Sequence, residues 1–130
     1  MLRQNTFLRY ALLADAVASG ATGLMMLAGA GLLEGLLGLP AALMREAGLV
    51  LVPYVAFVAW VGTRETISRP AVQAIIAMNV LWVIGSAVVL FAFVAPTLLG
   101  YGFVIAQAIV VGVFAELQFI GLRRSDTVAA

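Results

Sequence analysis

The sequence predicts an all-α fold, a bundle of four membrane-spanning helices. Three observations carry that prediction. First, 65% of the 130 residues are hydrophobic and 10% are charged, whereas soluble domains run about 45–50% apolar and about 25% charged. A water-soluble chain this short has too little interior to hide so much apolar surface. Second, the apolar residues fall into four runs, each near the roughly 20 residues that a spanning helix needs. Third, the arginines gather on one side of the membrane that those runs define. The whole chain, residues 1–130, reads as a single membrane domain.

The first run extends from Tyr10 to about Leu33. Arg3 and Arg9 precede it, and small residues follow near Ser19–Gly23, in imitation of a secretory signal. Asp15 interrupts that apolar stretch, and the run continues past any cleavage point, so it is expected to remain as a span. The second run covers about 41–63 and begins beside Pro40, a residue suited to a first helical turn. Pro53 inside it removes one helical hydrogen bond and is expected to kink it. The third run covers about 71–95, between Pro70 and Pro96, and the fourth about 100–122. The links are short, so neighbouring helices are expected to be antiparallel. The segment at about 34–46 carries Glu34, Arg45 and Glu46. It reads either as a short interfacial helix or as an extended start of the second span, with its charges at headgroup level.

Orientation follows from the arginines. Arg3 and Arg9 precede the first span, Arg64 and Arg69 separate the second from the third, and Arg123 and Arg124 follow the fourth; Arg45 alone lies opposite. The positive-inside rule puts both termini in the cytoplasm, as in a multi-pass protein of the bacterial inner membrane, with Tyr10 and Trp60 as anchors at that boundary.

The two halves resemble each other. Asp15 to Thr22 aligns with Asn79 to Ser86 at an offset of 64, and Ala56 to Arg64 aligns with Ala115 to Arg123 at an offset of 59. Each half is then one hairpin that starts and ends on the same side. Two such hairpins predict a parallel repeat about an axis along the membrane normal.

Polar residues within the spans are the candidate site. Asp15, Asn79 and Glu116 lie at depths that agree within roughly 5 Å at the helical rise, in the cytoplasmic half. A carboxylate there is expected to face the bundle interior and to share a proton or a donor. Asp15 shares a helix face with Ala11, Ser19 and Thr22, and Glu116 with Gly112 and Ile109; such small-residue faces are expected to meet inside the bundle. Asp15 and Glu116 are thus expected near each other or near Asn79, one holding a proton at neutral pH, with Ser19, Thr22, Tyr54 and Gln118 as the residues that can complete the network. Gln118 is rotated by about 200° from Glu116 and is expected to face a neighbour or the headgroups. Gln73 and Gln107 read as structural.

Absences narrow the chemistry. The chain has no Cys, His or Lys. Thiolate metal sites, imidazole acid–base chemistry and a Schiff-base lysine are therefore excluded. No catalytic residue, cofactor-binding residue or metal ligand is expected, and a net charge of +1 offers nucleic acid no electrostatic footprint. The expected partners are the lipid bilayer and either further copies of the chain or a larger membrane complex. The leading functional expectation is a non-catalytic membrane subunit or scaffold. The alternatives are a small proton-coupled transporter using Asp15 and Glu116, or an enzyme acting on a lipid or quinone. The single carboxylate in the first span loosely resembles the small multidrug exporters, although their motif around that residue is missing. The Asp15-containing first span, Asn79 with Trp82, and the closing Glu116-Leu-Gln-Phe-Ile-Gly-Leu-Arg-Arg resemble small four-helix bacterial integral membrane proteins. That resemblance spans nearly all of the chain and implies no particular activity.

Overall fold

A computed structural model describes residues 6–92 and 96–129, with the side chains of all of these except Ala92 and 125–129. Arg3 and the predicted end of the third span at 93–95 lie outside the described residues. Four helices follow in order: α1 (Thr6–Leu37), α2 (Ala41–Thr63), α3 (Arg69–Ala92) and α4 (Leu98–Ala129). Each is long and apolar enough to cross a membrane.

The segment expected to be interfacial divides between two helices. Glu34 belongs to α1, while Arg45 and Glu46 fall in the early turns of α2. Local chemistry explains why the chain breaks only at 38–40. Gly38 adopts φ 69°, a left-handed conformation that glycine reaches without steric cost, and its N–H returns to the Glu34 carbonyl at 2.9 Å. That is an αL helix end. The Glu34 carboxylate then accepts the Ala41 N–H at 2.7 Å, so one residue closes α1 through its backbone and caps α2 through its side chain. At the far end of the chain, the Thr97 hydroxyl accepts the Gly100 N–H at 3.1 Å, as an N-cap of α4 does. Thr97 also donates its N–H to the Leu37 carbonyl at 3.0 Å and its hydroxyl to the Leu36 carbonyl at 2.8 Å. The last carbonyls of α1 are thereby satisfied by the start of α4.

The helices pack as two hairpins, α1 with α2 and α3 with α4, joined along α1 and α4; α2 and α3 approach each other far less. In the first hairpin the backbones draw close where Gly48 faces Gly23: a Cβ on Gly48 would stand 3.1 Å from the Gly23 carbonyl oxygen. Arg9 ties the arginine-rich end together, donating to the Gly62 carbonyl at 2.6 Å and to the Glu65 carbonyl at 3.3 Å. A cation on the free carbonyls at the end of α2 is the favourable sense of the helix dipole. The core falls into two apolar clusters. One, at the arginine-rich end, includes Leu8, Leu12, Val58, Val61, Ile75 and Leu122. The other includes Met26, Ala30, Met44, Leu51, Leu90 and Val104. Tyr54 packs against both, and the polar residues lie at this junction.

Candidate functional site: a closed polar layer

Each helix sends a polar side chain to the junction. α1 supplies Asp15, α2 Tyr54, α3 Asn79 and α4 Gln118. Asp15 and Gln118 are 0% exposed and Asn79 is 3% exposed. Asp15 is the hub. Its Oδ1 accepts the Ser19 hydroxyl at 2.8 Å. Its Oδ2 accepts the Tyr54 hydroxyl at 2.6 Å, the Gln118 Nε2–H at 2.8 Å and the Asn79 Nδ2–H at 3.1 Å. Asn79 Nδ2 also donates to Gln118 Oε1 at 2.9 Å, and the Tyr54 hydroxyl lies 2.7 Å from Asn79 Oδ1. Among the described residues, no buried side-chain nitrogen or oxygen lacks a partner. Lipid offers no water to compensate such groups, so the partners must come from the chain.

The layer lies near the middle of the two shorter spans. Tyr54 is two residues from the middle of the 23-residue span Ala41–Thr63, and Asn79 is one residue from the middle of Arg69–Phe91. In the two longer spans, Thr6–Leu37 and Leu98–Arg124, Asp15 and Gln118 lie in the half nearer the arginine-rich end.

The structure brings together Asp15, Asn79, Tyr54 and Ser19. Thr22 lies outside the network and returns its hydroxyl to the Ala18 carbonyl of its own helix at 2.9 Å. Glu116 is the principal correction. It does share a face with Gly112 and Ile109, but that face points away from the bundle, and Glu116 is exposed. Gln118, expected outside, is the residue within. The reason is chemical: Asp15 needs donors, and an amide supplies N–H where a second carboxylate supplies only more acceptors. Spacing did not mark it: Ala115, Gln118 and Leu122 recur at helical intervals on one face, but Ile105, Ile109, Val113 and Ile120 make the opposite face as apolar.

A second polar tie joins α3 to α4 farther along. Trp82 Nε1–H donates to Gln107 Oε1 at 2.7 Å, and Gln107 Nε2 donates to the Ser86 hydroxyl at 3.0 Å. Gln107 serves as a structural tie, and Gln73 is exposed near the start of α3.

The Tyr54 hydroxyl can be oriented in two ways within the layer. Tyr54 has one hydroxyl proton for two short contacts. Donated to Asp15, it leaves Asn79 Oδ1 without a donor in the network. Donated to Asn79, it leaves the Tyr54 oxygen as an acceptor, and the contact with Asp15 then needs a proton on the carboxyl. The two arrangements differ by that one proton. Among the described residues, no three of His, Cys, Asp or Glu gather as a metal site.

Four spanning helices around such a layer define a multi-pass membrane protein of the helical-bundle class. No protein-family model, curated protein or solved structure matches the chain.

Proposed function

We propose that the chain is a non-catalytic membrane subunit or scaffold, held in one helix register by its polar layer. One observation carries this reading: every polar contact of the buried Asp15 carboxyl, to Ser19, Tyr54, Asn79 and Gln118, is made by its own chain. A site for cargo or substrate keeps a valence open, whereas a structural tie is closed. The arrangement of arginines supports insertion in a bacterial inner membrane with both termini cytoplasmic. Arg9, Arg64, Arg69, Arg123 and Arg124 share one end of the bundle, and Arg45 lies at the other, which is the positive-inside pattern.

The parallel repeat belongs to the same reading. Its aligned residues Asp15 and Asn79 are hydrogen-bonded to each other. Its aligned hydroxyls, Thr22 and Ser86, each return to the carbonyl four residues back. The unequal α1–α4 and α2–α3 seams depart from strict two-fold symmetry.

The second reading, proton-coupled transport, is favoured by the shared Tyr54 proton, with Asp15 rather than Glu116 as the carrier. Mild-detergent purification from native membranes, followed by reconstitution, separates the two. The subunit reading expects an assembly of fixed stoichiometry that survives Asp15→Asn, and no proton flux. Flux that Asp15→Asn abolishes would overturn it in favour of transport.

A further inference from the structure

With Gln118 inside, Glu116 points outward from the opposite side of α4, about 200° around the helix. It stands on the outward face, among exposed Ile109, Val113 and Ile120. Less than one turn separates it from Gln118, so it lies at the depth of the buried layer, where lipid supplies neither water nor a donor. Among the described residues it has no hydrogen-bond or ion-pair partner. One turn away on the same ridge is Gly112, and a Cβ there would meet nothing within 4 Å. Nothing in the fold of the single chain asks for glycine at this point, and glycine weakens a helix interior. A carboxyl that lacks a polar partner and a glycine that admits a close helix thus share one outward ridge.

We propose that this ridge is the contact between two copies of the chain. α4 packs against α4 about an axis along the membrane normal, and the two Glu116 carboxyls meet at that axis through one shared proton. The inference rests on the subunit reading and names the partner that reading leaves open.

Two features select a second copy. The described arginines lie at the ends of the helices: Arg9, Arg64, Arg69, Arg123 and Arg124 at one end, Arg45 at the other. Among the described residues no cation therefore lies at the depth of Glu116, and an asymmetric contact would set the carboxyl against aliphatic side chains. Copies inserted by the same arginine bias also share an orientation. Rotation about the membrane normal preserves depth and brings each residue to its own equivalent. Crossing at Gly112 then follows the close packing that small residues permit, near −40° in such pairs, which splays the two Arg123 side chains apart toward the headgroups.

The chain has no cysteine, so single cysteines in the full-length protein report the contact in native membrane vesicles. Ile109→Cys and Gly112→Cys are expected to form disulfide-linked dimers on mild oxidation. Leu81→Cys, which lies on the outer face of α3 and is 65% exposed, is expected to stay monomeric. Glu116→Leu is expected to weaken dimerisation in detergent at least tenfold, while Glu116→Gln, an amide that can pair with its own kind, retains most of it. Equal cross-linking through Leu81→Cys, or a monomer throughout, overturns the proposal. Cross-linking of Ile109→Cys to a different, basic chain overturns the dimer but keeps the subunit reading. A dimer through α4 that also carries proton flux dependent on Asp15 keeps the dimer and overturns the subunit reading.

Discussion

Replacing Asp15 by Leu tests the polar layer most directly. The substitution removes four hydrogen bonds, those from Ser19, Tyr54, Asn79 and Gln118. Three of the four cross between helices, and interhelical hydrogen bonds in membranes average about 0.6 kcal/mol each, so these three contribute about 2 kcal/mol together. Most of the released donors find other acceptors. Tyr54 keeps Asn79 Oδ1, Asn79 keeps Gln118 Oε1, and Ser19 can turn to the carbonyl of residue 15, as Thr22 does with Ala18. Gln118 Nε2 has no such alternative, and an orphaned buried donor costs about 1–3 kcal/mol more. The added leucine gains little, because lipid is as apolar as the core it enters. The expected loss is about 4 kcal/mol. Titration with sodium dodecyl sulfate from mild micelles, followed by helical circular dichroism, measures it; the protein is kept dilute enough to be monomeric. Glu116→Leu in the same assay is expected to change stability by less than about 0.5 kcal/mol, as for surface positions without partners. A loss below about 1 kcal/mol for Asp15→Leu, close to the value of one or two such bonds, would refute the hub assignment. So would a larger loss for Glu116→Leu than for Asp15→Leu.

Three further outcomes are expected from the same titration. Gly100→Ala places a methyl group on the Leu37 carbonyl and is expected to cost about 2 kcal/mol or more through overpacking; an unchanged transition would mean that α1 and α4 do not meet there. Arg9→Leu removes two donors, to the Gly62 carbonyl in the last turn of α2 and to the Glu65 carbonyl beyond it, at a cost of about 1–3 kcal/mol, and Arg9→Lys is expected to recover part of it. Trp82→Phe removes the single bond to Gln107 and is expected to cost only about 0.6 kcal/mol, so that a loss matching Asp15→Leu would make the α3–α4 tie the dominant polar contact.

The number of spans and the one-sided arginines could be read directly from the sequence. Membrane thickness sets the length of an apolar run, and the charge bias lies in the links, so both are local quantities. Asp15 and Asn79 were legible for a related reason: a polar residue inside an apolar run stands out wherever it points. The joints were less so. Glu34 reads as a headgroup charge until Ala41 is seen donating to it, and Thr97 carries no mark of its reach back to α1.

Only the tertiary structure decided which side of α4 faces inward. In a soluble helix the contrast between core and water writes that answer into the sequence. Here lipid and core are equally apolar, and α4 presents aliphatic side chains both to the bundle, as at Val104 and Leu122, and to the outside, as at Ile109 and Ile120. The choice between Glu116 and Gln118 therefore rested on their partners rather than on pattern. Asp15, buried on a different helix, required donors at that depth, and the amide could supply one where a second carboxylate could not.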